Sequence, residues 1–301
     1  MVIEHLSLCD AESFLLRLRR SNRFWWSGAA TETPWVFRGH WNAEWPLIPS
    51  AWRDDTSLIQ LKAAIEAAHP DVIAGLPKDA AGDMALLRMA EMEALYQFAR
   101  LAESLGAAIP EELVVPHASP LRTGSDGHAI GMRMIEKVAP LAQHHGIPTS
   151  LLDWTRNPYF AAFFAVGRAF RTRLQPNEIC VWAMNTDRIH PGISKSELPE
   201  SQQQSIQLIR PARHTNEYLS AQHGLFTHIY DNSGARPSLE SLVGSWSRAP
   251  SYSQDGPVLR KLKLDAVLAD DLLQLLDREG INEASLMPSL DKVAQTVKDR
   301  W

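Results

Sequence analysis

Only two cysteines occur among the 301 residues, Cys9 and Cys180, far apart in the chain. So low a thiol count excludes a disulfide scaffold, and no cysteine or histidine spacing of the structural-zinc kind is present. The expectation is a reduced setting in which both cysteines act as small buried apolar residues. Long apolar runs are also lacking, since none approaches the roughly 20 residues needed to span a bilayer. The first residues, with Glu4, Asp10 and Glu12, lack the basic-then-apolar layout of a signal peptide. A cytoplasmic protein with no membrane partner is therefore expected. Positive charge is not in excess either, and the net charge of −5 gives no general nucleic-acid footprint. Arg17, Arg19, Arg20 and Arg23 nevertheless form a local basic cluster on the first predicted helix.

What is present fits a globular protein, with 45% hydrophobic and 22% charged residues. The length allows one large domain or two ordinary ones and is sufficient for a substantial core. No internal repeat, low-complexity tract or composition shift marks a boundary. A single domain over 1–301 is predicted, with core motifs in 30–56 and 140–230, a helical insertion over 57–140 and C-terminal helices over 265–301. Helical spacing covers 9–20, 57–69 and 83–105, the last ending at Gly106, and a further helix runs from about Gly131 to His144. Residues 178–184 and 225–230 read as strands, and 265–279 and 289–299 as helices. Segments 191–215 and 231–257, rich in Ser, Pro, Gly and Gln, are predicted as loops or lids. Six of the ten tryptophans fall between Trp25 and Trp52; they fill a core or line a pocket. The fold class is α+β with a mixed or antiparallel β core.

The most informative stretch runs from Gln143 through His144, His145, Gly146, Pro148, Thr149, Ser150, Asp153, Trp154 and Thr155 to Asn157 and Pro158. Polar, chemically capable residues crowd a connector there, just before the apolar run Tyr159 to Val166. Asn157 as N-cap and Pro158 at the first helical position predict a buried helix whose N-terminus favours an anion near Asp153 and Thr155. Upstream lies Trp35-Val36-Phe37-Arg38-Gly39-His40, followed by Glu44-Trp45-Pro46-Leu47-Ile48-Pro49-Ser50-Ala51-Trp52-Arg53.

Together these two stretches resemble the FRG domain family, named for its Phe-Arg-Gly tripeptide, here Phe37-Arg38-Gly39. Its second signature is matched from Gln143 to Thr155, with Ser150 standing where the family pattern usually carries an arginine. Weaker echoes follow at Ala221 to Phe226 and from Gly280 to Asp291. The order of the motifs is also similar to that of ADP-ribosyltransferases of the Arg-Ser-Glu type. That likeness implies an arginine for a phosphate or ribose of NAD (Arg38), a Ser/Thr strand for the nicotinamide side (Thr155), and a polar residue before a later strand (Gln222). Gln222 stands where a glutamate is usual, and it cannot supply the negative charge that stabilises a developing ribosyl cation. Asp153, Glu217 or Glu93 are the alternative carboxylates.

The candidate catalytic residues are thus Arg38, His144, His145, Asp153, Thr155 and Gln222, with Arg38, Gly39, His40, Trp154 and Thr155 as candidate NAD contacts and no metal site expected. Each also has a structural explanation. Arg38 and Asp153 can form an ion pair that needs no ligand. The histidines can cap a helix, and Trp154 can be a buried spacer. Three function classes follow: an NAD-consuming transferase or glycohydrolase acting as the effector of a bacterial defence or toxin system, a non-catalytic nucleotide sensor of such a system, and a metal-dependent nuclease or hydrolase using His40, His144, His145, Asp153 and His223. The macromolecular acceptor is not encoded in any readable motif.

Overall fold

The computed structural model describes residues 2–26, 32–53, 58–107, 127–167, 175–189, 204–210, 224–231, 233–246, 256–286 and 289–298. Seven strands are described: β1 (Ile3–Leu8), β2 (Trp35–His40), β3 (Leu151–Thr155), β4 (Glu178–Asn185), β5 (Gln204–Ile209), β6 (Gly224–Asp231) and β7 (Leu259–Asp265). They form one sheet in the order β1-β7-β4-β2-β3-β6-β5, in which β1 and β7 are parallel and the other neighbours antiparallel. The helices are α1 (Ala11–Leu18), α2 (Leu58–Ala68), α3 (Pro70–Ala74), α4 (Ala80–Ser104), α5 (Gly127–Lys137), α6 (Ala139–His144), α7 (Pro158–Val166), α8 (Leu239–Trp246), α9 (Ala269–Arg278), α10 (Glu283–Leu286) and α11 (Leu290–Lys298). The chain is α+β, with a mixed sheet.

Side-chain alternation along the strands explains the layers. On β2, Trp35 and Phe37 face one side, where they pack with Phe14, Leu15 and Leu18 of α1, the apolar faces of α7 and α9, and Ile179, Val181 and Ala183 of β4. Val36 faces the other side, with Leu152, Trp154, Cys180, Trp182 and Met184, beneath α2, α4, α8 and the segment from Ala43 to Trp52. A third cluster joins α4, α5 and α6 to Leu151, Ile209 and Phe226. Helix α7 is almost wholly apolar and buried because it lies against the centre of the sheet. Gly39 permits that contact: a Cβ there would fall 1.9 Å from the Ala161 carbonyl oxygen and 2.7 Å from the Ala165 nitrogen.

Several sequence expectations are corrected. The helix read from Gly131 to His144 is two, α5 and α6, because Pro140 lacks the N–H that would continue the ladder. The loop reading of 191–215 covers β5, which is paired along its whole length with β6, and that of 231–257 covers α8. Strands β1 and β7 had no prediction at all. The charged Lys261 and Lys263 of β7 disguise it; Lys261 lies 4.7 Å over the Trp182 ring and Lys263 pairs with Glu178. Cys180 is buried, its thiol pushed up to about 12 by burial, but Cys9 is exposed and donates to Asp10. Of the clustered tryptophans, Trp25, Trp35, Trp41 and Trp52 are core residues. Among the described residues no helix is long and apolar enough to cross a membrane.

Candidate functional site

The sheet is interrupted at its centre. Strand β2 shares six paired positions with β4, and β3 shares five with β6, but β2 and β3 share only Phe37 with Thr155. Beyond that pair the two strands part. By alternation Arg38 lies on the Val36 side of the sheet and Asp153 on the Leu151 side, yet the two meet in the gap. Arg38 Nη1 donates to the Asp153 carboxylate and, at 3.1 Å, to the Asp153 carbonyl oxygen. The guanidinium thus replaces the strand partner that the carbonyl lacks. Arg38 is mostly covered, with 15% of its side chain exposed, whereas 51% of the Asp153 side chain faces solvent.

Arg38 Nε also donates to His40 Nε2 at 3.1 Å. That bond leaves the lone pair on Nε2, so His40 is neutral with its proton on Nδ1. Burial holds the His40 pKa well below its ordinary value, and the Arg38 charge lowers it further while the Trp45 backbone acts in the opposite direction.

A second set of bonds fixes Asp153 from behind. Gln143, in the last turn of α6, donates from Nε2 to the Asp153 carboxylate at 3.2 Å and accepts from the Thr149 hydroxyl. Thr149 is fully buried and latched to the first motif: its N–H donates to Ser50 Oγ at 3.0 Å, and its carbonyl accepts from Ala51 N–H at 3.0 Å and from Ser50 Oγ at 3.3 Å. The next residue, Ser150, donates its N–H and hydroxyl to the buried Glu91 carboxylate of α4, at 2.6 and 2.9 Å. Desolvation pushes the Glu91 pKa up to about 7 against those two bonds and the Arg88 charge. Gly146 allows α6 to end where Gln143 can point at Asp153: at φ +88° it is the left-handed C′ residue, with Ile147 N–H bonded to Ala142 and Gly146 N–H to Gln143.

The structure brings Arg38, His40 and Asp153 together and gives the other described candidates different surroundings. Thr155 is buried on the Phe37 side and accepts from Asn157 N–H at 3.0 Å. Gly39 is pressed against α7, and Trp154 is a core residue donating to Thr227 Oγ1 at 3.1 Å. His145 is exposed and stacks on Phe98 with ring centroids 6.1 Å apart; His144 is half-buried, its pKa lowered by burial and then by His145. Among the described residues neither histidine bonds to Arg38 or Asp153. The predicted anion site at the start of α7 is filled by the chain itself, since Asn157 Oδ1 takes Tyr159 N–H and the Asn157 carbonyl takes Phe160 N–H. Glu93 accepts from Gln97 at 2.9 Å on α4. Gln222, Glu217 and His223 lie outside the described residues. Sequence reasoning passed over Gln143, Thr149, Ser50 and Glu91 as site residues. The first three stood inside the two motifs, and Glu91 lay within the helix read over 83–105.

Residues 33–173 match the family model described as the FRG domain. That segment is an FRG domain. The match spans β2, the helical segment from α2 to α6, β3 and α7, and so contains both sides of the sheet gap, while β1 and β4 to β7 lie beyond it. No curated protein and no solved structure matches the chain.

Proposed function

We propose that the gap between β2 and β3 binds the phosphate or ribose of a nucleotide through Arg38, and that NAD is consumed there by cleavage of its nicotinamide–ribose bond. The observation that supports this reading is the meeting of one mostly covered guanidinium with a half-exposed carboxylate in an interrupted sheet. Nη1 and Nε of Arg38 are engaged within the protein, which leaves Nη2 for a charge-assisted bond to a phosphate. Asp153 supplies negative charge where the bond to nicotinamide breaks. The departing ring keeps the bonding pair and leaves neutral, the ribose carbon develops positive charge, and an acceptor hydroxyl or water attacks and releases a proton. In this reading the protein is the effector of a bacterial defence or toxin system, as a transferase or a glycohydrolase.

Sensing without turnover is the second reading, favoured by the closed Arg38–Asp153 pair, which holds the site together without ligand. For the metal-dependent hydrolase, no group of three His, Cys, Asp or Glu able to hold a metal ion is found among the described residues. Incubation of the pure protein with NAD, with and without a chelator, separates the three. Chelator-insensitive release of nicotinamide is expected. Saturable NAD binding with no nicotinamide released overturns the enzyme in favour of the sensor, and chelator-sensitive phosphodiester cleavage of an oligonucleotide incubated in place of NAD overturns both. Gln222→Glu restores the usual transferase carboxylate and is expected to keep or raise the release rate.

A further inference from the structure

The basic cluster seen in the sequence is not spread along a helix face. Only Arg17 lies within α1; Arg19 is its C-cap, and Arg20 and Arg23 follow in the turn and short 3-10 helix over Arg23–Trp25. Arg19, Arg20 and Arg23 are exposed. Among the described residues none of the four arginines has a carboxylate partner. A helix C-terminus accommodates about half a positive charge, so the dipole of α1 offsets only a fraction of this display.

The turn that carries them is built stiffly. Side chains satisfy the carbonyls that α1 and the following turn leave open: Asn22 Nδ2 donates to Leu16 at 3.1 Å, Trp25 Nε1 to Arg17 at 2.8 Å, and Trp26 Nε1 to Arg20 at 2.7 Å. Arg17 then lies 4.8 Å and Arg260 3.7 Å from the Phe24 ring centre. Arg260 is paired with Glu4 at 2.7 Å, while Arg17, over the same Phe24 ring, adds a cation to the three exposed arginines although the chain as a whole is negative.

We propose that this shoulder after α1 is a docking surface for single-stranded nucleic acid. Arginines rather than lysines provide planar, bidentate donors suited to phosphate. The half-buried Trp26, packed in part against the core and bonded to the Arg20 carbonyl, sets an aromatic side chain beside the cluster, and cationic track with aromatic platform is the combination that binds strands without sequence preference. The side-chain caps fix the turn before the ligand arrives, so little ordering is needed on binding. The surface is formed by residues other than those of the sheet gap and does not depend on NAD chemistry.

The test uses the full chain and a fluorescently labelled single-stranded oligonucleotide of about 15 nucleotides, read by anisotropy. Saturable binding is expected, with log affinity falling against log salt at a slope of about −2 to −3 if three or four phosphates are neutralised. The variant Arg19→Glu/Arg20→Glu/Arg23→Glu is expected to lose at least about tenfold in affinity while remaining folded, with a melting temperature lowered only slightly by acidic groups beside the negative end of α1. Arg133→Glu, an exposed arginine on α5, is expected to bind as wild type. No saturable binding at low salt, equal loss in the control, or retention of affinity in the triple variant overturns the proposal. Capture by phosphatidylserine vesicles without oligonucleotide binding overturns it in favour of a membrane surface.

Discussion

Arg38 and Asp153 meet through the sheet rather than across one of its faces. Strand alternation places them on opposite sides, and contact is possible only because β2 and β3 separate after Phe37 and Thr155. The pair therefore serves two purposes that mutation can separate. Arg38→Ala removes an ion pair whose acidic member is half exposed, worth about 1 kcal/mol or less, and leaves the buried His40 Nε2 without its donor, a further cost of roughly 1–3 kcal/mol. It also removes the cation proposed to hold a phosphate, so nucleotide affinity is expected to fall by about 1.5–3 kcal/mol, roughly ten- to a hundredfold. Asp153→Asn keeps the shape and most of the bonds to Arg38 and Gln143, and is expected to spare binding while slowing nicotinamide release. Calorimetric titration with NAD and single-turnover kinetics measure the two. Collapse of the fold in both variants, seen as melting far below wild type without ligand, identifies a purely structural ion pair.

The middle residue of the Phe-Arg-Gly tripeptide faces the gap; the last faces α7. Gly39→Ala introduces a Cβ 1.9 Å from the Ala161 carbonyl oxygen and 2.7 Å from the Ala165 nitrogen, both backbone atoms of a helix buried on the sheet. Neither can yield by a rotamer change, so α7 must shift as a whole. Destabilisation on the order of 3 kcal/mol is expected in denaturant titration. A variant that unfolds at the wild-type midpoint would show that α7 does not rest on β2 at this position.

The parts that could be read from sequence are those whose signal is local. Asp153, Arg38 and His40 stood in two dense polar motifs, and β3 leading into α7 was marked by Asn157, Pro158 and an unbroken apolar run. What was missed depends on partners distant in the chain. Nothing near Gly39 states that its neighbour is a helix more than a hundred residues away. Thr155 and Trp154 looked chemical because they lie in the motif, but alternation turns Thr155 to the Phe37 side, and Trp154, although on the Arg38 side, is packed into the core and bonded to Thr227. Strand β7 resembled a surface segment because its lysines reach over Trp182 and to Glu178. Gln143 began the motif and was given no role of its own, although it is the residue that fixes the carboxylate.

Ser50 and Thr149 join the two motifs by reciprocal bonds. Ser50→Ala leaves the buried Thr149 N–H without its acceptor, at a cost of roughly 1–3 kcal/mol. Because Thr149 in turn orients Gln143 towards Asp153, the variant is expected to weaken nucleotide binding as well as lower the melting temperature. Thr149→Val keeps the backbone latch to Ser50 but removes the hydroxyl that donates to Gln143 and accepts from Leu151 N–H, so it is expected to lower ligand affinity at a stability cost of roughly 1–3 kcal/mol. Equal affinities for Thr149→Val and wild type in a titration with NAD would show that Gln143 does not need this bond.

Two fully buried groups near the site give opposite pH dependences. The pKa of Glu91 is raised by burial to about 7 from 4.5, so the folded state holds a proton that the unfolded chain gives up, and stability falls as pH rises through that window. His228 is brought down to about 4 from 6.5 by burial and then by Arg88, so its contribution is lost as pH falls from 6.5 towards 4. His40, lowered by burial and Arg38, acts in the same direction as His228. These terms partly cancel in the wild type. Glu91→Gln still accepts from Ser150 but cannot ionise; it is expected to be more stable than wild type at pH 8 by about 3 kcal/mol and to gain stability steadily from pH 4 to 6.5 as the histidines dominate. Melting temperatures measured from pH 4 to 8 for wild type and this variant decide the matter: parallel curves would mean that the Glu91 pKa is the same in the folded and unfolded chain, so that burial does not raise it.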